Sequence, residues 1–162
     1  MDDAVDLIEF EAMLFGRYSL ASRGAEPAGL DRRIYTLLSR IAAQAPMSIG
    51  QLSEALGLDT STINRQTAAA VRAGQLRRIP DPDGALARKF EITDDGREFL
   101  ERERVTRVGY LEDILADWPD RDRTALADCL QRFNSAIERR HGAEWPRPGR
   151  SALPHSSVPG QL

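Results

Sequence analysis

The chain is 162 residues long, 41% hydrophobic and 29% charged, with a formal net charge of −3. That is the length of one domain with apolar residues enough for a core, which excludes two large domains and a wholly disordered chain. No apolar run reaches the roughly 18 residues of a membrane helix, and acids fill the first twenty residues where a secretory signal carries bases, so a cytoplasmic protein with no membrane partner is expected. Cys129 is the single cysteine, and with His141 and His155 as the only histidines neither an internal disulfide nor a metal site is expected, and no cofactor.

In chain order, Val5, Ile8, Ala12 and Phe15 recur at helical spacing within about 4–20, and the broad apolar face asks for a partner helix. Gly24, Pro27 and Gly29 break the pattern before Leu30, Ile34, Leu37, Leu38 and Ile41 mark a second helix that ends at Ala45-Pro46. Ser48 and Gln51 form a capping box, in which each side chain satisfies the other residue's amide, and Leu52, Ala55 and Leu56 follow before Gly57. Asp59 or Thr60 caps a fourth helix that turns Ile63, Thr67, Ala70 and Val71 inward. Its other face shows Thr60, Ser61, Asn64, Arg65, Ala68 and Arg72. Two short helices joined by a four-residue turn, the second bearing small polar residues and arginine near its start, have the form of a helix-turn-helix.

Leu76-Arg77-Arg78-Ile79 and the stretch from Leu86 to Ile92 flank the turn Asp81-Pro82-Asp83-Gly84, which reads as a β-hairpin with Leu86, Arg88, Phe90 and Ile92 on one side. Thr93 then caps a helix of over twenty residues carrying Phe99, Val105, Val108, Leu111 and Leu115, which Trp118-Pro119 stops. A last helix from Asp120 places Leu126, Cys129, Leu130, Phe133 and Ile137 on one stripe, where Cys129 is expected to be a buried core thiol. From about Ala143 to the end, Pro, Gly and Ser predominate and a disordered tail is expected.

Charge is distributed unevenly. Between Thr60 and Phe90 six basic residues face only Asp81 and Asp83, a local excess of four positive charges in an acidic chain, and Lys89 is the sole lysine of the protein. Such an island suits a phosphate backbone better than the net charge suggests. For catalysis the residues offer little: Asp94 and Asp95 are accounted for by helix capping, and there is no Gly-rich phosphate loop, nucleophile elbow or His-centred relay, so no enzyme is expected.

The order helix, helix, short helix, recognition helix, hairpin, long helix, helix resembles the MarR family of winged-helix transcriptional regulators. The run from Met47 to Arg65 resembles the family's helix-turn-helix. Asp81-Pro82-Asp83-Gly84, followed by Phe90-Glu91-Ile92-Thr93-Asp94-Asp95-Gly96-Arg97, resembles its wing and exit. The likeness spans about 5–140. It implies a mainly α fold with a small β-hairpin wing, a winged helix-turn-helix with N- and C-terminal dimerisation helices. The domain would cover 1–142, with a reading head over about 30–93, dimerisation helices over about 4–20 and 94–140, and a tail over 143–162.

The function the resemblance implies is a sequence-specific, homodimeric DNA-binding regulator, a repressor on a pseudo-palindromic operator, released by a small-molecule effector. Double-stranded DNA and a second copy of the chain are the implied partners. The DNA-binding set is then Ser48, Thr60, Ser61, Thr62, Asn64, Arg65, Arg77, Arg78, Arg88 and Lys89, and the dimer interface Val5, Ile8, Leu111, Leu115, Leu126, Leu130, Phe133 and Ile137. Phe15, Tyr18 and Tyr35 are candidates for an effector pocket, although core or interface contacts explain the same spacing. In one respect the chain departs from the family: Gly84 and Leu86 stand where its wing usually carries an acid and a minor-groove arginine, and Arg88 or Lys89 is expected to take over that contact. A winged helix used for protein contact alone is the alternative reading.

Overall fold

The computed structural model describes residues 3–17, 28–44, 46–84 and 86–147. Among them the elements run α1 Asp3–Arg17, α2 Ala28–Gln44, β1 Met47–Ser48, α3 Ile49–Leu56, α4 Thr60–Arg72, β2 Leu76–Ile79, β3 Lys89–Ile92, α5 Asp94–Ile114 and α6 Asp120–His141. The result is the mainly helical winged helix-turn-helix that the sequence pattern implies. Its sheet is antiparallel in the order β1-β3-β2, with Met47 opposite Phe90 and Leu76 opposite Ile92. β1 is new relative to the sequence reading, since two residues carry no alternation to detect.

Local chemistry fixes the element ends. Ser48 N–H donates to Gln51 Oε1 at 2.9 Å and Gln51 N–H to Ser48 Oγ at 3.2 Å, closing the expected capping box. Gly57 ends α3 at φ 62°, a left-handed conformation that a side chain would strain. At the exit of the wing, Thr93 Oγ1 accepts from Gly96 N–H at 3.1 Å and donates to the Gly74 carbonyl at 2.6 Å. A Cβ on Gly96 would collide with the Gln75 carbonyl oxygen, so the start of α5 approaches β2 as closely as only glycine permits.

The core lies between α2, α3, α4 and the sheet. Leu37, Leu38, Ile41, Leu52 and Ile63 are completely buried, with Met47, Leu76, Phe90 and Ile92 closing the sheet side. Each such leucine or isoleucine contributes ~1.5–3 kcal/mol. Thr67 shares the core without cost in unmet polarity, because its hydroxyl donates to the Ile63 carbonyl at 2.9 Å. α5 joins the head through Phe99 and Leu100 and through Arg107, whose guanidinium lies 4.3 Å from the Tyr35 ring centroid on α2. By contrast α1 and α6 bury no residue, and α5 buries only Gly96.

Three expectations are corrected. The outgoing wing strand begins at Lys89 and not at Leu86: Pro80 removes the next ladder donor beyond Ile79, so pairing stops at Ile79–Lys89 and Leu86 and Arg88 stand exposed beyond it. Cys129 is exposed, because α6 turns that stripe away from the rest of the chain. Residues 143–147 are placed against α6 and α2 by hydrogen bonds of Glu144, Trp145 and Arg147, where the sequence suggests a loose tail. Tyr18, Leu20, His155 and the stretch 148–162 lie outside the described residues.

Candidate nucleic-acid interface

α4 presents its polar face around one organising residue. Asp59 is the N-cap: its carboxylate accepts from the Ser61 hydroxyl, from the Thr62 N–H at 2.8 Å and from the Thr62 hydroxyl at 2.7 Å. These bonds, the Ser61 hydroxyl first, hold its pKa well below the usual carboxylate range. Thr62 Oγ1 in turn accepts from Arg65 Nη2 at 3.1 Å, so a chain of hydrogen bonds runs from the cap to the guanidinium and orients it on the exposed face. Asn64 Nδ2 donates to the Thr60 carbonyl at 2.9 Å. The hydroxyl hydrogens of Ser61 and Thr62 are thus directed to Asp59, and Thr62 links that carboxylate to Arg65. Asp59 carries this role, of which its position in the sequence shows only the cap.

Four expected residues converge on one open cleft of about 520 Å³: Ser48 and Asn64 with Arg78 and Arg88, alongside Ile49, Gly50, Ala87 and Phe90. The N-terminus of α3, the polar face of α4 and the wing thus share a wall. Arg78 is held over the Phe90 ring at 5.6 Å, which leaves its guanidinium edge for hydrogen bonding. Arg77, one residue earlier, points to the opposite side of β2 and is paired with Glu91, Nη2 to Oε2 at 2.6 Å, outside the cleft.

Lys89 differs from the other cations. Its ammonium is bonded to Asp81 at 2.8 Å and to Asp83 at 3.0 Å, and its side chain is only 11% exposed. The Asp81 bond, then the Asp83 bond, raises its pKa, and Lys89 in return lowers that of Asp81. Lys89 is therefore a clasp across the wing turn and not an exposed phosphate contact, a correction to its expected role. Asp83 N–H also donates to Asp81 Oδ1 at 3.0 Å, which braces the same turn. After these pairings the basic island reduces to four exposed arginines with no ion pair among the described residues: Arg65, Arg72, Arg78 and Arg88.

Phe15 is exposed on α1, Tyr35 is half-buried beneath Arg107, and Tyr18 is outside the described residues. Val5, Ile8, Leu130, Phe133 and Ile137 are exposed along α1 and α6, whereas Leu111, Leu115 and Leu126 are half-buried. Among the described residues no three His, Cys, Asp or Glu side chains gather as metal ligands, and no helix is long and apolar enough to cross a membrane.

Comparison with known proteins decides the family. The HTH-type transcriptional regulator YxaD of Bacillus subtilis is 31% identical over 135 residues, covering 82% of this chain and 94% of its own length. The chain belongs to the MarR family of winged helix-turn-helix transcriptional regulators. The family's HTH-type regulator PecS of Dickeya dadantii is 27% identical over 124 residues, 76% of this chain and 70% of PecS. A crystal structure of MarR shares the fold, with a TM-score of 0.62 at 19% identity over 68% of this chain and 75% of that one. No protein-family model matches the chain. As a MarR-family protein it is a DNA-binding transcriptional regulator and not an enzyme.

Proposed function

We propose that this MarR-family protein is a homodimeric repressor acting in the cytoplasm, binding a pseudo-palindromic operator with one recognition helix per half-site. The observation that carries the reading is the convergence of Ser48, Asn64, Arg78 and Arg88 on one cleft beside an Arg65 oriented by Asp59 and Thr62. Arg65 suits bidentate recognition of guanine and Asn64 that of adenine, while Arg78 and Arg88 serve the backbone on either side. Two-fold symmetry would place half-site centres about 10 base pairs apart, with repression by occlusion of a promoter. A small effector at the junction of α1, α2 and α5, beside Tyr35, would need a coupling of ~1–3 kcal/mol to release the operator.

The test is selection of duplexes from a random-sequence pool, followed by footprinting at several salt concentrations. A protected pseudo-palindrome with steep salt dependence is expected. Arg65→Ala should then lose ~1–3 kcal/mol of specific binding. A folded Arg65→Ala protein that keeps full affinity removes Arg65 from base reading, and equal weak binding of all duplexes favours a winged helix used for protein contact.

A further inference from the structure

The segment after α6 is tied to two separate parts of the molecule. Gly142, at φ 69°, turns the chain back, its N–H and that of Ala143 both directed at the Glu138 carbonyl. The Glu144 carbonyl then accepts from Arg40 Nη1 on α2 at 2.9 Å, and the Trp145 ring lies over the same guanidinium, 5.2 Å from Cζ to centroid. At its other end the segment returns to α6. Arg147 forks onto both oxygens of Glu138 at 2.6 and 2.8 Å, and the Trp145 N–H reaches Glu138 Oε2 at 3.4 Å.

Arg40 and Glu138 are therefore the two anchor points. Arg40 is 6% exposed and its Nε has no hydrogen-bond partner among the described residues, so cover by the aromatic face matters more to it than to a solvated arginine. A bidentate guanidinium–carboxylate pair fixes direction as well as distance. α2 supplies Leu37, Leu38 and Ile41 to the core of the head, so whatever holds Arg40 holds the head. α6 buries nothing of its own. A connection through α5 alone would be a hinge, whereas a second tie from the far end of α6 turns the hinge into a braced joint.

We propose that residues 142–147 form a brace that fixes the angle between the reading head and α6, and thereby the distance between the two recognition helices of the dimer. Arg40 and Trp145 are its positioning residues, and Glu138 with Arg147 is its clasp. The spacing role rests on the homodimeric DNA-binding reading above; the brace itself does not.

The experiment uses the full chain with Trp145→Ala, Trp145→Phe and Arg147→Glu. Each protein is bound to the duplex selected by the unaltered protein and to versions lengthened or shortened at the centre by one and two base pairs. The unaltered protein and Trp145→Phe should prefer the selected spacing, and Trp145→Ala and Arg147→Glu should lose about tenfold or more of that preference while retaining the half-site sequence. A folded Trp145→Ala protein with undiminished spacing preference overturns the proposal.

A second measurement needs no DNA: spin labels at Ser61→Cys and Arg121→Cys in a Cys129→Ser chain, diluted into unlabelled protein so that only the intrachain distance is read. The distribution should be narrow, should broaden with Trp145→Ala and should narrow again with Trp145→Phe. Unchanged width in Trp145→Ala overturns the brace. If the unaltered protein selects no duplex, the regulator reading fails, and this width alone decides the brace.

Discussion

The reading head and the arms that leave it are both mainly helical, yet they meet water in opposite ways. In the head, Leu37, Leu38, Ile41, Leu52 and Ile63 have no exposed surface, whereas Leu130, Phe133 and Ile137 on α6 keep 41%, 49% and 41% of theirs. The head is satisfied by its own chain. The arms have the amphipathic pattern of packed helices with no partner for it among the described residues, and a contiguous apolar face of that kind suits the proposed interface. Stability of the head is then a property of the chain, while in the homodimer proposed above order in the arms would depend on protein concentration.

The largest effect expected from this contrast comes from Leu130→Glu. In a dimer the change buries an unpaired carboxylate in each copy, at a cost on the order of several kcal/mol per interface. Sedimentation should show a monomer at concentrations where the unaltered protein is dimeric, with the near-ultraviolet signal of the head retained. A Leu130→Glu protein that still sediments as a dimer moves the interface away from this stripe of α6.

A smaller effect tests where along α5 the head ends. At Gly96 a Cβ meets the Gln75 backbone, and overpacking of that kind costs ~1–3 kcal/mol. The gain in helix propensity of ~1 kcal/mol from glycine to alanine opposes it without reversing it. A Cβ on Gly109, on the same helix, would meet nothing within 4 Å among the described residues beyond its chain neighbours and its own helix backbone. Urea unfolding should show Gly96→Ala destabilised and Gly109→Ala stabilised by ~0.5–1 kcal/mol. Destabilisation by Gly109→Ala would mean that the partner's backbone approaches α5 there.

Periodicity made the head legible from sequence, because its apolar residues repeat at 3.6 in α2 and α4 and its caps are residue types with one function. Ser48 with Gln51, and Thr93 with Gly96, behave as their spacing implies. The wing was less legible. Alternation from Leu86 to Ile92 looks continuous in sequence, but the ladder depends on the partner strand, and Pro80 ends it. Charge counting also overstated the basic island, since it does not see that Lys89 lies between Asp81 and Asp83 or that Arg77 faces Glu91. The stretch 143–147 has a composition suited to disorder, and its order comes from contacts with Arg40, more than a hundred residues away, and with Glu138, seven to nine residues back.

The smallest effect separates exposed from paired arginines within the wing. Arg88 stands in the cleft without an acidic partner among the described residues, so each phosphate it contacts releases counterions, and Arg88→Ala should flatten the slope of log affinity against log salt by about 0.9. Arg77 starts from a different ground state. Its guanidinium is already neutralised by Glu91 on the side of β2 turned away from the cleft, and Arg77→Gln should leave the slope unchanged. Binding measured across salt for both variants decides between local geometry and total charge as the source of the wing's contribution: equal flattening by the two would mean that Arg77 abandons Glu91 on DNA, and the charge count would then predict binding better than the pairing seen in the free chain.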